Sequence, residues 1–347
     1  MGLLAIDYKW LLASQPKNED YWITEVNQQN KSSGLHLNKP NRSVVSLSHK
    51  EVSSYQPAQL RDALEAGFGL LGGLEPLIAG RQKVLIKPNF VSMKPKEDNV
   101  CTRPEVILAV VDALLDRGVQ VSLGESPGFG TVEKAVEVLG LKSPLGQRGV
   151  KCFTFEKVKY FTTDNPKFKR LGIAAELDEY DGLLNLPKIK THCQTQFSGA
   201  VKNLYGCVPR KRKAYRHFQA GDDEAAFMQM VVDNYKQANA FLHIADGVQV
   251  LHKHGPTSGE TLQMGSLLVG DDGVQMDWGI CQLIGMDPMA TLQFQCLGPQ
   301  PQTELSGDPI KTTGGFIHAN KIPVSFNPLR LLSSVLKQSW SNLRRTS

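Results

Sequence analysis

Residues 83–126 read KVLIKPNFVSMKPKEDNVCTRPEVILAVVDALLDRGVQVSLGES. The apolar run Val84–Ile86 is short and stops at Pro88, which predicts a buried strand. The following PEVILAVVDALLDRG places apolar residues at helical spacing. It opens on Pro104 and closes on Gly118, so a helix is predicted there. VQVSLGES then reads as a second strand. Strand, helix and strand in that order make the repeating unit of a parallel sheet.

The same alternation extends outward in both directions. SVVSLS from Ser43 is a strand candidate, Leu60–Leu77 is helical with Pro57 in its first turn, and VEKAVEVLG is a helix after the loop SPGFGT. Downstream, GLLNLPKIKTH, AFLHIADGV and GSLLVGD are strand-like, while FMQMVVDNYKQA and the stretch from Gln275 to Ile284 are helical. The expectation is an α/β protein of two lobes built on mostly parallel doubly wound sheets, with a cleft between them. The expected boundaries are a loosely ordered polar arm over 1–42, a first lobe over 43–145, a second over 146–327 and a basic helical tail over 328–347.

Composition narrows the function classes. The 347 residues are 41% hydrophobic and 21% charged, ordinary usage for a chain that buries a core. Lys and Arg number 39 against 34 Asp and Glu, and Arg210, Lys211, Arg212, Lys213 and Arg216 fall in one stretch, Pro209–His217. Without those five, acids and bases balance, so the chain carries one local basic patch and a nucleic-acid partner is not expected. The six cysteines, Cys101, Cys152, Cys193, Cys207, Cys281 and Cys296, form no C-x-x-C pair. A ferredoxin or zinc-ribbon motif is therefore not expected, and isolated thiols suit a reducing compartment. No apolar run approaches 18 residues, and MGLLAIDYKW has too short an apolar core for a signal peptide, so no transmembrane segment and a cytoplasmic location are expected. A homo-oligomer stays open.

Ligands of such sheets bind beyond the carboxyl ends of the strands. Polar residues collect at those ends here: Lys87 and Asn89, Glu125 and Ser126, Lys190 and His192, and Asp246. The loop SPGFGT is either a glycine turn with Thr131 as helix cap or an anion cradle. The densest constellation, KIKTHCQTQFSGAVKNLYGCVP (188–209), holds Lys190, His192, Thr195, Ser198, Gly199, Lys202, Asn203 and Gly206. His192 can move protons, Lys202 can hold an anion or form a covalent bond, and Ser198-Gly199 before a helix can offer backbone N–H groups. The stretch PRKRKAYRH is either a solvated turn or a wall of the site with Lys213 and His217 pointing inward. Asp246 and Asp277 are carboxylates for a magnesium or acid–base site, or else turn and cap residues.

KVLIKPNFV, the TRPEVILAVVDALLDRG helix, VQVSLGESPG, the long 188–209 motif, ADGV…HGPTSGE and GDDGVQMDWGICQLIGMDP resemble, in order, the domain of unknown function 362 family over about residues 83–290. Many of its members carry a ferredoxin-type iron–sulfur module, for which this chain has no cysteine run. More distantly, Thr102-Arg103-Pro104, His192 and Ser198-Gly199-x-x-Lys202 are similar to the nickel-pincer lactate racemase family. That resemblance implies Lys202 as tether of a nucleotide-type cofactor, His192 as a neighbouring histidine, His217 as a metal-side partner and Arg103 as a contact to an anion. Glu125 and Ser126 stand where that family has a histidine.

The reading is an enzyme or ligand-binding protein for a small anionic molecule, with racemase- or epimerase-like acid–base chemistry as the first guess. Its expected catalytic groups are His192, Lys202 and Glu125. Lys87, Asn89, Thr102, Arg103, Ser126, Lys190, Ser198, Gly199, Asn203 and Asp246 are expected to bind ligand or cofactor, with His192 and His217 as candidate metal ligands. The cofactor itself, a metal or a lysine-tethered nucleotide-type group, is left open. An iron–sulfur accessory protein and a non-catalytic module using the basic patch are the alternatives.

Overall fold

The computed structural model describes residues 44–210, 212–298 and 302–325. The expected arm (1–42) and tail (328–347) lie outside them.

The chain enters on β1 (Val44–Glu51), followed by α1 (Pro57–Leu70), with its first-turn proline, and α2 (Leu74–Ile78). The deciding stretch folds as β2 (Lys83–Pro88), α3 (Pro104–Leu115) and β3 (Gln120–Glu125). Helices α4 (Val132–Val138) and α5 (Lys142–Gln147) lead to β4 (Lys151–Thr154), and β5 (Val158–Thr162) and β6 (Arg170–Ala174) form a separate antiparallel pair. The predicted strand GLLNLPKIKTH is two strands, β7 (Gly182–Leu186) and β8 (Lys188–His192). Pro187 has no N–H to continue a ladder, and its carbonyl instead accepts from Asp246 N at 2.9 Å. Then come β9 (Gln196–Ser198), α6 (Ala200–Asn203), α7 (Arg212–Ala220) and α8 (Glu224–Ala238). The long hairpin β10 (Leu242–His252) and β11 (Glu260–Gly270), α9 (Gly273–Leu283), α10 (Leu292–Leu297) and β12 (Gln302–Gly307) complete the described elements.

Ten strands make one sheet, in the order β12-β1-β11-β10-β7-β2-β3-β4, with β8 and β9 attached beside β10. Six of its pairings are parallel, and three (β1–β11, β10–β11 and β8–β9) are antiparallel. The α/β class and the mostly parallel sheet are as the sequence predicted. The pair of sheets is corrected to one: β1, β2 and β3 from 43–145 are interleaved with β7, β10 and β11 from 146–327. Local alternation dictates strand and helix but carries no record of which strand lies beside which.

Central strands are apolar on both faces because helices cover both sides. Val84 and Ile86 of β2 pack with α1 and α3 through Leu64, Val110 and Val111, while Leu85 faces Phe155 and Leu204. A further core joins α8 and α9 to β10 and β11 through Phe227, Val231, Ile280 and Leu268. Among the described residues no helix is long and apolar enough to cross a membrane.

Candidate functional site

The carboxyl ends of β2, β3 and β8 converge on α6, as the strand-end rule requires. Register places Lys87 on β2 opposite Asn185 on β7. The buried Lys87 ammonium donates to the Glu125 carboxylate at the end of β3, to Pro88 O (2.8 Å) and to Asn203 Oδ1 (3.2 Å). Those acceptors match the three donors of an ammonium. Asn203 Oδ1 also accepts from Asn89 Nδ2 (2.8 Å), and Asn203 Nδ2 donates to Asn185 Oδ1 (2.8 Å). Asn89 Oδ1 accepts from Lys190 Nζ (2.8 Å), which also donates to Val100 O (2.6 Å). Thr102 Oγ1 ties in by accepting from Asn89 N and donating to Leu186 O, both at 2.8 Å. One hydrogen-bonded network thus joins Lys87, Glu125, Asn203, Asn89, Lys190 and Thr102.

The chain beyond α6 passes directly over this network. A Cβ at Gly206 would collide with the Glu125 carboxylate and the Lys87 amine, so only glycine allows the approach. Gly206 O accepts from Ser126 N (3.2 Å), Ser126 Oγ accepts from Arg210 N (2.7 Å), and Ser126 O accepts from Lys213 Nζ. The basic stretch therefore does send Lys213 inward.

Lys202 is half-buried, its ammonium 5.0 Å from the centre of the Tyr205 ring. Among the described residues it has no hydrogen-bond or ion-pair partner. Burial, then the Lys87 charge, pushes its pKa down to about 8 against the pull of Glu125. Burial likewise lowers Lys213 to about 8, opposed by Glu125 and aided by Lys87 and Lys202. Burial brings Lys190 down to about 7, with Lys202, Lys188 and Lys87 adding to it. Lys87 therefore binds the Glu125 carboxylate and Lys202 and Lys213 feel its charge, while Lys190 joins the group through Asn89.

His192 is buried beside them, and its Nδ1 accepts from Gln194 N (3.1 Å) and Thr195 N (3.3 Å). Burial, Lys202 and Lys190 hold it neutral, well below the ordinary histidine range. With Nδ1 accepting, the neutral ring carries its proton on Nε2, so it is a hydrogen-bond donor there. His217 is also buried, with Nδ1 against Val324 O at 2.9 Å, and burial lowers it to about 4. Among the described residues no three His, Cys, Asp or Glu side chains converge as a metal or cluster site would require. With its Nδ1 taken by two backbone N–H groups, His192 has only Nε2 to offer a ligand.

Three expected residues sit elsewhere. The Arg103 guanidinium packs over the Tyr55 ring at 4.3 Å and binds Glu105 and Lys96 O. Asp246 belongs to a second buried network: it accepts from Lys188 Nζ (2.8 Å), Tyr55 OH (2.9 Å) and the Arg103 backbone N (3.1 Å). Gly199 faces Asp277, whose carboxylate accepts from Ala200 N (2.5 Å), Val201 N (3.0 Å) and Gln293 Nε2 (2.8 Å). The N–H groups expected for a ligand at this helix start are thus held by the protein's own acid, whose pKa burial raises to about 7. Ser198 is placed opposite Lys190 in the β8–β9 ladder. Thr131 caps α4, accepting from Lys134 N at 3.3 Å. An open depression of about 670 Å³, lined by Cys281, Met286, Asp287, Leu305 and Ile310 among others, shares no residue with the lysine cluster.

Asn185, Lys188 and Tyr55 were not singled out by the sequence reading. A signal for two of them exists: Asn185 interrupts an apolar run, and Lys188 and Lys190 alternate on one face of a strand.

A family model described as a domain of unknown function, DUF362, matches residues 84–282. The chain belongs to this family. The DUF362 match spans β2 to α9 and so contains the whole lysine cluster. A thylakoid-associated protein of Synechocystis sp. is 32% identical over 245 residues, 71% of this chain and 76% of that protein. Among solved structures, the lactate racemase apoprotein of Thermoanaerobacterium thermosaccharolyticum aligns at 15% identity and a TM-score of 0.44, covering 70% of this DUF362 chain and 56% of that one. A structural-genomics protein from Thermotoga maritima aligns at 14% identity and a TM-score of 0.44, covering 67% and 60%. This chain thus spans less than two thirds of either solved chain.

Proposed function

We propose that this DUF362 protein binds a small anionic molecule, a carboxylate or phosphate, at the cluster of Lys87, Lys190, Lys202 and Lys213, and acts on it by acid–base chemistry. The observation that carries the reading is the Lys202 amine: half-buried, without a partner among the described residues, and held to a pKa of about 8. Such a group is part protonated near neutrality, so it can hold an anion as ammonium or accept a proton as amine. His192 Nε2–H, neutral and buried, is suited to donate to a developing oxyanion. Glu125, fixed by Lys87 and by Ser126 N (2.9 Å), offsets part of the positive charge. Racemase- or epimerase-like proton transfer is the reaction class these groups fit.

The test is labelling with pyridoxal 5′-phosphate followed by borohydride and peptide mapping. Lys202 should be the dominant site, inorganic phosphate should protect it, and Lys202→Met should lose the label while keeping its melting temperature. Labelling spread evenly over surface lysines, or unaffected by phosphate, would overturn the assignment.

The six free cysteines favour a reducing compartment, the cytoplasm. Its likeness to the thylakoid-associated Synechocystis protein supports peripheral contact with a membrane as part of this reading.

A further inference from the structure

The basic stretch has a second face. Helix α7 buries His217 and turns Lys213 toward Ser126, while Tyr215 is 50% and Phe218 69% exposed. These two rings stand three residues apart, so they share one side of the helix. Arg216 reaches from α7 to β6, donating to Arg170 O at 2.7 Å. The Arg170 guanidinium covers the ring of Tyr160, itself 49% exposed, at 4.3 Å. Arg216 also lies within electrostatic reach of Tyr215, Tyr160 and Arg212. Exposed rings and arginines thus follow one another from Tyr215, with Phe218 beside it, through Arg212 and Arg216 to Arg170 and Tyr160. Arg210 is spoken for, being paired with Glu156.

We infer that this surface docks the protein on a bilayer containing anionic lipid; the inference rests on the peripheral location proposed above and names the residues that make the contact. The arginines complement acidic headgroups, and the rings, Phe218 above all, enter the boundary between headgroups and acyl chains. An exposed phenylalanine has nothing polar to offer water, and a lipid interface removes that cost while a phosphate backbone alone does not. A nucleic acid also fits less well on charge: outside residues 209–217 the bases and acids balance, so no extended basic track follows from the patch.

The experiment is co-sedimentation of the full chain with vesicles of phosphatidylcholine alone and of phosphatidylcholine with phosphatidylglycerol (about 2:1), with a single-stranded oligonucleotide in parallel. Binding should require phosphatidylglycerol and weaken between about 50 and about 300 mM salt. The paired variant Tyr215→Ser with Phe218→Ser should bind about tenfold more weakly, and Arg212→Gln should bind more weakly at low salt and lose less as salt is added. Both rings are exposed, so the pair should melt with the parent. If the parent binds and the paired variant binds equally well, peripheral contact stands and this surface is wrong. If the parent ignores both vesicles, surface and location fall together. Capture of the oligonucleotide without vesicle binding would assign the patch to nucleic acid and overturn the inference.

Discussion

At position 206 there is no room for a methyl group, because the Lys87–Glu125 pair lies against the backbone there. Gly206→Ala should cost about 1–3 kcal/mol, read as a lowered urea midpoint at unchanged slope. A midpoint within error of the parent would mean the buried pair moves aside freely. Lys87, Asn89, Thr102, Glu125, Lys190 and Asn203 were legible as ligands of something, since each is polar at a predicted strand end or helix start. The partner each one takes was not. Nothing local in the sequence says that the Arg103 guanidinium turns back to Glu105, or that His192 spends Nδ1 on the N–H groups two and three residues ahead. Those outcomes depend on backbone direction after the strand, which residue type does not encode.

Helix α3 and strands β8 and β10 are held together at the fully buried Lys188–Asp246 pair. Removing one partner leaves a charge in the interior, so Lys188→Met should destabilise by about 3–5 kcal/mol. The double variant Lys188→Met with Asp246→Leu should recover most of that, and denaturant melts of the three proteins form the cycle. Additive losses would show that the two charges do not depend on each other. At this scale the sequence read well where an element is bounded by its own residues, as α3 is by Pro104 and Gly118. It read poorly where neighbours decide: GLLNLPKIKTH looks like one strand until Pro187 lets β8 leave β7 and pair with β9. The start of α6 is a similar case, because its cap comes from Asp277, 77 positions downstream of Ala200.

In the whole molecule, opposite charges are locally outnumbered at the cluster where Lys190, Lys202 and Lys213 have pKa values of about 7, 8 and 8. All three are lowered from the ordinary lysine value, so between about pH 7 and pH 10 the unfolded chain binds more protons than the folded one. Their contribution to stability therefore rises with pH across that window. An anion reverses the balance by favouring the protonated amines. Sulfate, whose charge is constant here, should raise the melting temperature most near pH 7 and little near pH 9.5, relative to chloride at equal ionic strength. Saturation about a hundredfold above Kd corresponds to about 2.7 kcal/mol. An equal shift at both pH values would place the sulfate away from these amines. The cluster draws Lys87 from the first expected lobe and Lys190, Lys202 and Lys213 from the second, and the single sheet carrying Lys87 and Lys190 joins strands of both.

Helix α7 has nine residues and two tasks, with Lys213 on its inner side and Phe218 on its outer one. A rigid rod this short cannot shift at one side and stay still at the other. Whatever position of the rod an anion at the cluster prefers, a surface gripping Phe218 will either share that preference or oppose it. By reciprocity the two affinities then change by the same factor. Occupancy of the interior would thereby be reported at the periphery, and the periphery would set how readily the interior fills.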